Sequence, residues 1–286
     1  MKSPLRNEQT RLDLKEFWTR HDLALAQHES GGGAALSHDL YRGMPPWFNA
    51  YYAYFQRLAV ERLLKRCDVP PGGRVLDVGC GTGRWSGLML RRGLRPTGLD
   101  MGHLALQYAA RQWPEARFCQ AQLPDLCFAP GAFDLAISVT VLQHVPGERQ
   151  AAAVSAIACA LKSGGHLIVC ETIDVGDPSP HIFGHRADEW LGLLHGAGLQ
   201  PVAQAGCEYL PQVKVFQWGR RVWQMHAPSG SGAADVSAVA GVLKTRPLLG
   251  VPIRMALVVS YPIEYLAATL LPWRWAHLGC FLLRKP

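Results

Sequence analysis

The stretch Arg74–Ser86, RVLDVGCGTGRWS, sets Gly79, Gly81 and Gly83 at alternate positions behind Asp77, directly after an apolar run. Glycines in such a turn let a ligand approach backbone N–H groups with no side chain between them. The spacing differs from the G-x-G-x-x-G of dinucleotide sites, and no Walker lysine follows, which argues against a nucleoside triphosphate. A carboxylate beside the turn repels phosphate and attracts an ammonium group. A second acid, Asp100, closes the next apolar run, RPTGLD. Doubly wound nucleotide-binding folds place there the carboxylate that grips ribose hydroxyls. These residue types together suit a ligand that joins an amino-acid ammonium to an adenosine, and S-adenosylmethionine is the obvious one.

Positioning such residues requires a parallel sheet with crossover helices, and the middle of the chain alternates accordingly. RVLDVG, RPTGLDM, ARFCQAQ, FDLAISV and GHLIVCET read as five strands. RWSGLMLRRG, MGHLALQYAARQW, GERQAAAVSAIACALK and RADEWLGLLHGAGL read as the helices between and after them, the last two closed by glycines. QPVAQAGCEYL and HLGCFLLRKP supply two more strands. The expected organisation is a helical lid over 1–66, a ligand-binding core over 67–211, an apolar basic insertion over 212–275, and a last core strand over 276–286.

VLDVGCGTGRWS, PTGLDMG, FDLAISVTVLQHV and LKSGGHLIVCET resemble, in this order, the motifs of class I S-adenosylmethionine-dependent methyltransferases. The resemblance covers about Val69 to Leu210 plus the final strand. It implies an α/β, Rossmann-like, seven-stranded, mostly parallel sheet with an antiparallel last strand and helices on both faces. It implies S-adenosylmethionine as methyl donor, with Asp77 meeting the ammonium, Gly79, Cys80, Gly81 and Gly83 forming the turn, and Asp100 and Met101 at the ribose. Gln122 and Leu123 fall beside the adenine, Gln122 standing where the family often has an acid. Ser138 and Thr140 would line the reacting side, and Tyr41 and Arg42 could reach the cofactor carboxylate.

A sulfonium methyl is already activated, so a base is needed only where the acceptor holds its proton at neutral pH. His144, after the fourth strand, and Glu171, at the end of the fifth, are the catalytic candidates; His181 and His185 follow in the next loop. WFNAYYAYF puts two aromatic faces on one helix, with Trp47, Tyr51 and Tyr54 along one of them. That helix and the Met255–Leu266 segment of the insertion are expected to roof an apolar acceptor pocket. The expected reaction is methyl transfer to a hydrophobic small molecule, on oxygen before nitrogen, in specialised metabolism. A C-methyltransferase of a prenyl substrate and a membrane-peripheral or noncatalytic binding protein are the alternatives.

Composition narrows the classes further. The chain is 286 residues long with a net charge of +7. Residues 212–286 carry nine Lys/Arg against two Asp/Glu, in a strongly apolar setting. That suits an anionic amphipathic acceptor or a transient membrane contact better than nucleic acid, for which no basic run or Asn-Pro-Pro-Tyr motif is present. Eight cysteines show no metal-ligand spacing and read as free thiols of a cytoplasmic protein; no metal is expected. The apolar stretch nearest to a membrane span, Val251–Trp275, is broken by Arg254, Glu264 and Arg274.

Overall fold

A computed structural model describes residues 16–20, 22–23, 39–41, 44–174, 181–209, 243, 248 and 250–286. Pro46, whose fixed φ suits a first helical turn, opens α1 (Pro46–Leu64). Phe48, Tyr52, Phe55, Ala59 and Leu63 recur along α1 at helical spacing and are buried. Then follow β1 (Arg74–Val78), α2 (Arg84–Arg91), β2 (Arg95–Asp100), α3 (His103–Gln112), β3 (Arg117–Gln120) and β4 (Phe133–Val139). A 3-10 turn (Leu142–His144) leads to α4 (Gly147–Ala160), β5 (Leu161–Thr172), α5 (Ala187–Gly196) and β6 (Gln200–Cys207). Last come α6 (Gly250–Leu270), a 3-10 turn (Trp273–Trp275) and β7 (Leu278–Arg284).

The strands form one seven-stranded sheet in the order β3-β2-β1-β4-β5-β7-β6. The order reverses beside β1, with β2 on one flank and β4 on the other, both parallel to it. β7 runs antiparallel between β5 and β6. Strand residues alternate between two cores, as the two-residue period of a sheet requires. Val75, Ile137, Ile168, Cys280 and Leu282 meet α1 and α2 on one face. Leu76, Ala136, Val169, Phe281 and Leu283 meet α4 and α5 on the other.

The described residues of the stretch expected to form a lid, 1–66, divide in two. α1 packs on β6 and β7 as a core layer. The helical residues 16–20 and the segment at 39–41 instead bring Phe17, Trp18, Asp39 and Tyr41 to the cavity at the carboxyl ends of the strands.

Candidate active site

A cavity of about 880 Å³ opens at the β1–β4 switch point, where doubly wound sheets place their ligands. Gly79, Gly81 and Gly83 hold φ values of 63°, 52° and 83°, a region that favours glycine. A Cβ on Gly79 would overlap the Val141 side chain, and one on Gly81 the Asp39 carboxylate. Asp100 accepts from the N–H of Gly81 (2.9 Å) and of Gly102 (2.8 Å), so the ends of β1 and β2 are tied through one carboxylate. Asp39 accepts from Thr82 N–H (3.0 Å) and its hydroxyl (2.6 Å). Gly79, Cys80, Gly81, Asp100, Met101, Gln122, Leu123 and Tyr41 all line the cavity. Arg42 lies outside the described residues.

Asp77 and Ser138 are placed differently from expectation. Asp77 sits beneath the turn, 1% exposed, and is not part of the cavity wall. Its Oδ2 accepts from Ser86 Oγ at 2.7 Å, and its Oδ1 is buried without a hydrogen-bond partner. Burial pushes its pKa up to about 7, against the pull of the Ser86 bonds. Ser138 is fully buried inside β4, paired with Val78 and Val169; Val139, Thr140 and Val141 face the cavity instead. Thr140, at φ 57°, turns the chain there, held by its N–H to Cys170 O at 2.8 Å.

Sequence reasoning passed over Arg84. This first residue of α2 lines the cavity, and its Nε and Nη1 are buried without a hydrogen-bond partner. Its Nη2 donates to Gln56 Oε1 (2.9 Å), and Gln56 Nε2 donates to Glu208 Oε1 (3.1 Å). The guanidinium lies 4.4 Å from the centre of the Trp85 ring. Burial lowers the Arg84 pKa, opposed by the charges of Asp39 and Asp77. Two unused buried donors on a fixed cation suit an anionic group such as a carboxylate. The orphaned Arg84 donors, the glycine cradle and Asp100 therefore fit an amino acid joined to an adenosine: Arg84 would take its carboxylate, Asp100 its ribose, and Gln122 and Leu123 its base.

At the other side of the cavity His144 Nδ1 lies 2.7 Å from the backbone oxygen of His181. A carbonyl only accepts, so Nδ1 carries the proton and Nε2 keeps its lone pair. Desolvation lowers the His144 pKa to about 4, so the ring is neutral near pH 7. Trp18 meets it edge-on at 4.9 Å, and Phe17 stacks on His181 at 4.3 Å. The FW pair of KEFWTR was the available sequence signal for this enclosure.

Glu171 does not reach the cavity. Its Oε1 accepts from the N–H of Val141 (3.1 Å) and Leu142 (2.9 Å), and its Oε2 from that of Gln143 (3.2 Å). It is a positioning residue for the turn that carries His144. Burial raises its pKa to about 8 although these three donors pull it down. In Glu171→Gln the new amide NH₂ meets one of those donors. The variant is expected to lose about 1–3 kcal/mol of stability, read by denaturant unfolding, with S-adenosylhomocysteine affinity little changed. His185 is likewise structural, donating from Nε2 to Gln150 Oε1 at 2.6 Å.

Trp47, Tyr51 and Tyr54 do not line the cavity, contrary to expectation. Tyr51 is buried, with its hydroxyl 3.3 Å from Ser260 Oγ, and Tyr54 packs on Tyr261. These rings seal α1 against α6, because two aromatic faces serve two packing partners. The described part of the 212–275 insertion adds no cavity-lining residue either. Among the described residues no group of three His, Cys, Asp or Glu could hold a metal.

Residues 75–165 match a family profile described as "Methyltransferase domain". Over 187 residues the chain is 33% identical to a ubiquinone biosynthesis O-methyltransferase of Marinobacter nauticus, covering 54% of this chain and 77% of the relative. A protein of the same description from Alkalilimnicola ehrlichii is 36% identical over 154 residues, covering 52% of this chain and 59% of the relative. The crystal structure of the [4+2]-cyclase SpnF superposes with a TM-score of 0.54 at 19% identity, covering 80% of each chain. A Haemonchus contortus phosphoethanolamine N-methyltransferase 2, in complex with S-adenosyl-L-methionine, gives 0.52 at 18% identity, over 79% of this chain and 52% of that one. Sheet order, glycine cradle and similarity agree: the chain belongs to the class I S-adenosylmethionine-dependent methyltransferases.

Proposed function

We propose that this methyltransferase transfers a methyl group to the hydroxyl oxygen of a hydrophobic, phenol-like small molecule. The observation that carries this reading is the neutral His144, whose Nε2 lone pair is fixed by the His181 carbonyl inside an aromatic enclosure. S-adenosylmethionine, when bound, supplies an electrophilic methyl on a sulfonium. His144 Nε2 takes the proton that the acceptor hydroxyl gives up as its oxygen forms the new bond to carbon. Phe17, Trp18 and Ile182 exclude water and hold the flat apolar body of the acceptor. The curated relatives named O-methyltransferases support oxygen as the acceptor atom. Eight free cysteines support a reducing, cytoplasmic setting.

The test is a panel of phenols and amines of graded hydrophobicity, with products identified by mass spectrometry and NMR. Turnover is expected to rise with apolar surface among the phenols. Methylation of carbon, or preference for small polar amines, would overturn the reading. Trp18→Ala is expected to raise KM for the best phenol about ten-fold, the loss of roughly one aromatic contact in an apolar pocket, leaving S-adenosylhomocysteine affinity within a few-fold.

A further inference from the structure

One helix among the described residues, α6 (Gly250–Leu270), is long and apolar enough to cross a membrane by length and composition. Its backbone continues as one helix past Pro262, with Arg254 and Glu264, two of the charges that break the apolar stretch in the sequence, both inside it. Its buried positions Leu257, Ser260, Glu264 and Ala267 follow one another at spacings of a single helical stripe. The remaining circumference is apolar and open: Met255, Val258, Val259, Ile263 and Leu266 are each more than half exposed, and Leu270 is 75% exposed. Monomeric soluble proteins seldom leave such a continuous apolar face uncovered.

The helix is nevertheless fixed to the globular domain. Ser260 Oγ lies 3.3 Å from the Tyr51 hydroxyl. Glu264 Oε1 accepts from Tyr209 N–H at 2.8 Å, and Arg62 donates to Ala268 O and Thr269 Oγ1. Leaving the domain to cross a bilayer would break all of these bonds and expose a buried carboxylate to hydrocarbon. At a bilayer the helix can bury its open face by lying flat. Exposed charge on it comes from Arg254, while its one carboxylate, Glu264, is buried. The helix ends in the Trp273–Trp275 turn, with Trp275 68% exposed, the residue type favoured at membrane–water boundaries. The wider 212–286 region is strongly basic.

We infer that the exposed face of α6 is an in-plane docking surface for an anionic lipid leaflet. Apolar side chains enter the acyl boundary, and the exposed Arg254 faces the headgroups. The inference is independent of which acceptor is methylated. Two residues after Trp275 the chain reaches His277 and Leu278, which line the cavity, so a docked helix holds that wall near the lipid.

The test is flotation of the full chain with mixed phosphatidylcholine–phosphatidylglycerol vesicles and with pure phosphatidylcholine. Wild type is expected to float with the anionic vesicles, less so at high salt. The double variant Val258→Glu/Leu266→Glu should lower the bound-to-free ratio about ten-fold or more, with unchanged S-adenosylhomocysteine affinity as the folding control. Should that variant lose its fold, Val258→Cys carries the test: anionic vesicles should protect its new thiol from an aqueous maleimide, read by peptide mass spectrometry. Wild type left in the lipid-free fraction, or flotation unaffected by the two glutamates, overturns the proposal. Protection of the introduced thiol without lipid, or a solution dimer that the double variant dissociates, also overturns it, assigning the face to another part of this chain or to a second copy.

Discussion

Arg84→Met should weaken S-adenosylhomocysteine binding by about two orders of magnitude or more, the scale of truncating one partner of a buried charge pair. Methionine keeps an unbranched apolar stem but removes the guanidinium, with its place over Trp85, its bond to Gln56, and the two buried donors, Nε and Nη1, that have no partner within the protein. The ligand carboxylate would then be desolvated with nothing to receive it. Removing the cation also leaves Asp39 and Asp77 without the nearby positive charge that opposes their repulsion. The measurement is calorimetric titration of wild type and variant with S-adenosylhomocysteine and with adenosine alone. Adenosine lacks the carboxylate, so its affinity should change far less; equal losses for both would assign Arg84 to packing rather than recognition.

The second large effect is on chemistry. His144→Ala is expected to lower kcat about a hundred- to ten-thousand-fold for a phenol that holds its proton at neutral pH, the range of a lost general base. The loss should shrink towards nothing with a nitrophenol already ionised at the assay pH, a contrast that a merely structural histidine would not produce. In wild type, a His144 pKa of about 4 places the acid limb of kcat well below the ordinary histidine range. Stability follows the same shift. The group is depressed from 6.5 to about 4 on folding, so the unfolded chain binds more protons between these values. His144 therefore contributes stability above about pH 6.5 that is lost as pH falls through about 4, which acid unfolding of wild type and His144→Ala would compare.

The sheet, its helices and the cradle were legible because they rest on local patterns: two-residue alternation in the strands, and glycines at the positive-φ positions of the turn after β1. Asp100, Gln122 and His144 reach the cavity as expected for the same reason, since each ends or follows a strand and strand ends define the mouth. What the sequence hid depends on side-chain direction. Asp77 lies one residue before Val78 on a strand, yet only the packed turn shows its carboxylate aimed down at Ser86. Arg84 reads as an ordinary first-turn helix residue until Gln56, from a distant helix, takes one of its donors and leaves the others facing inward. The aromatics of α1 were misassigned because periodicity shows that a face is apolar and not which partner covers it. Glu171 was placed at the correct strand end, but three converging backbone N–H groups engage it as a bracket.

The N-terminal segment that stacks Phe17 on His181 also sends Asp22 to the far rim, where its carboxylate accepts from Leu104 N–H (2.9 Å) and Ala105 N–H (2.8 Å) at the start of α3. One short stretch thus spans the entrance from the acceptor histidines to the ribose side. The consequence is mechanical: displacing this stretch from the entrance would break a ring stack and a helix cap together.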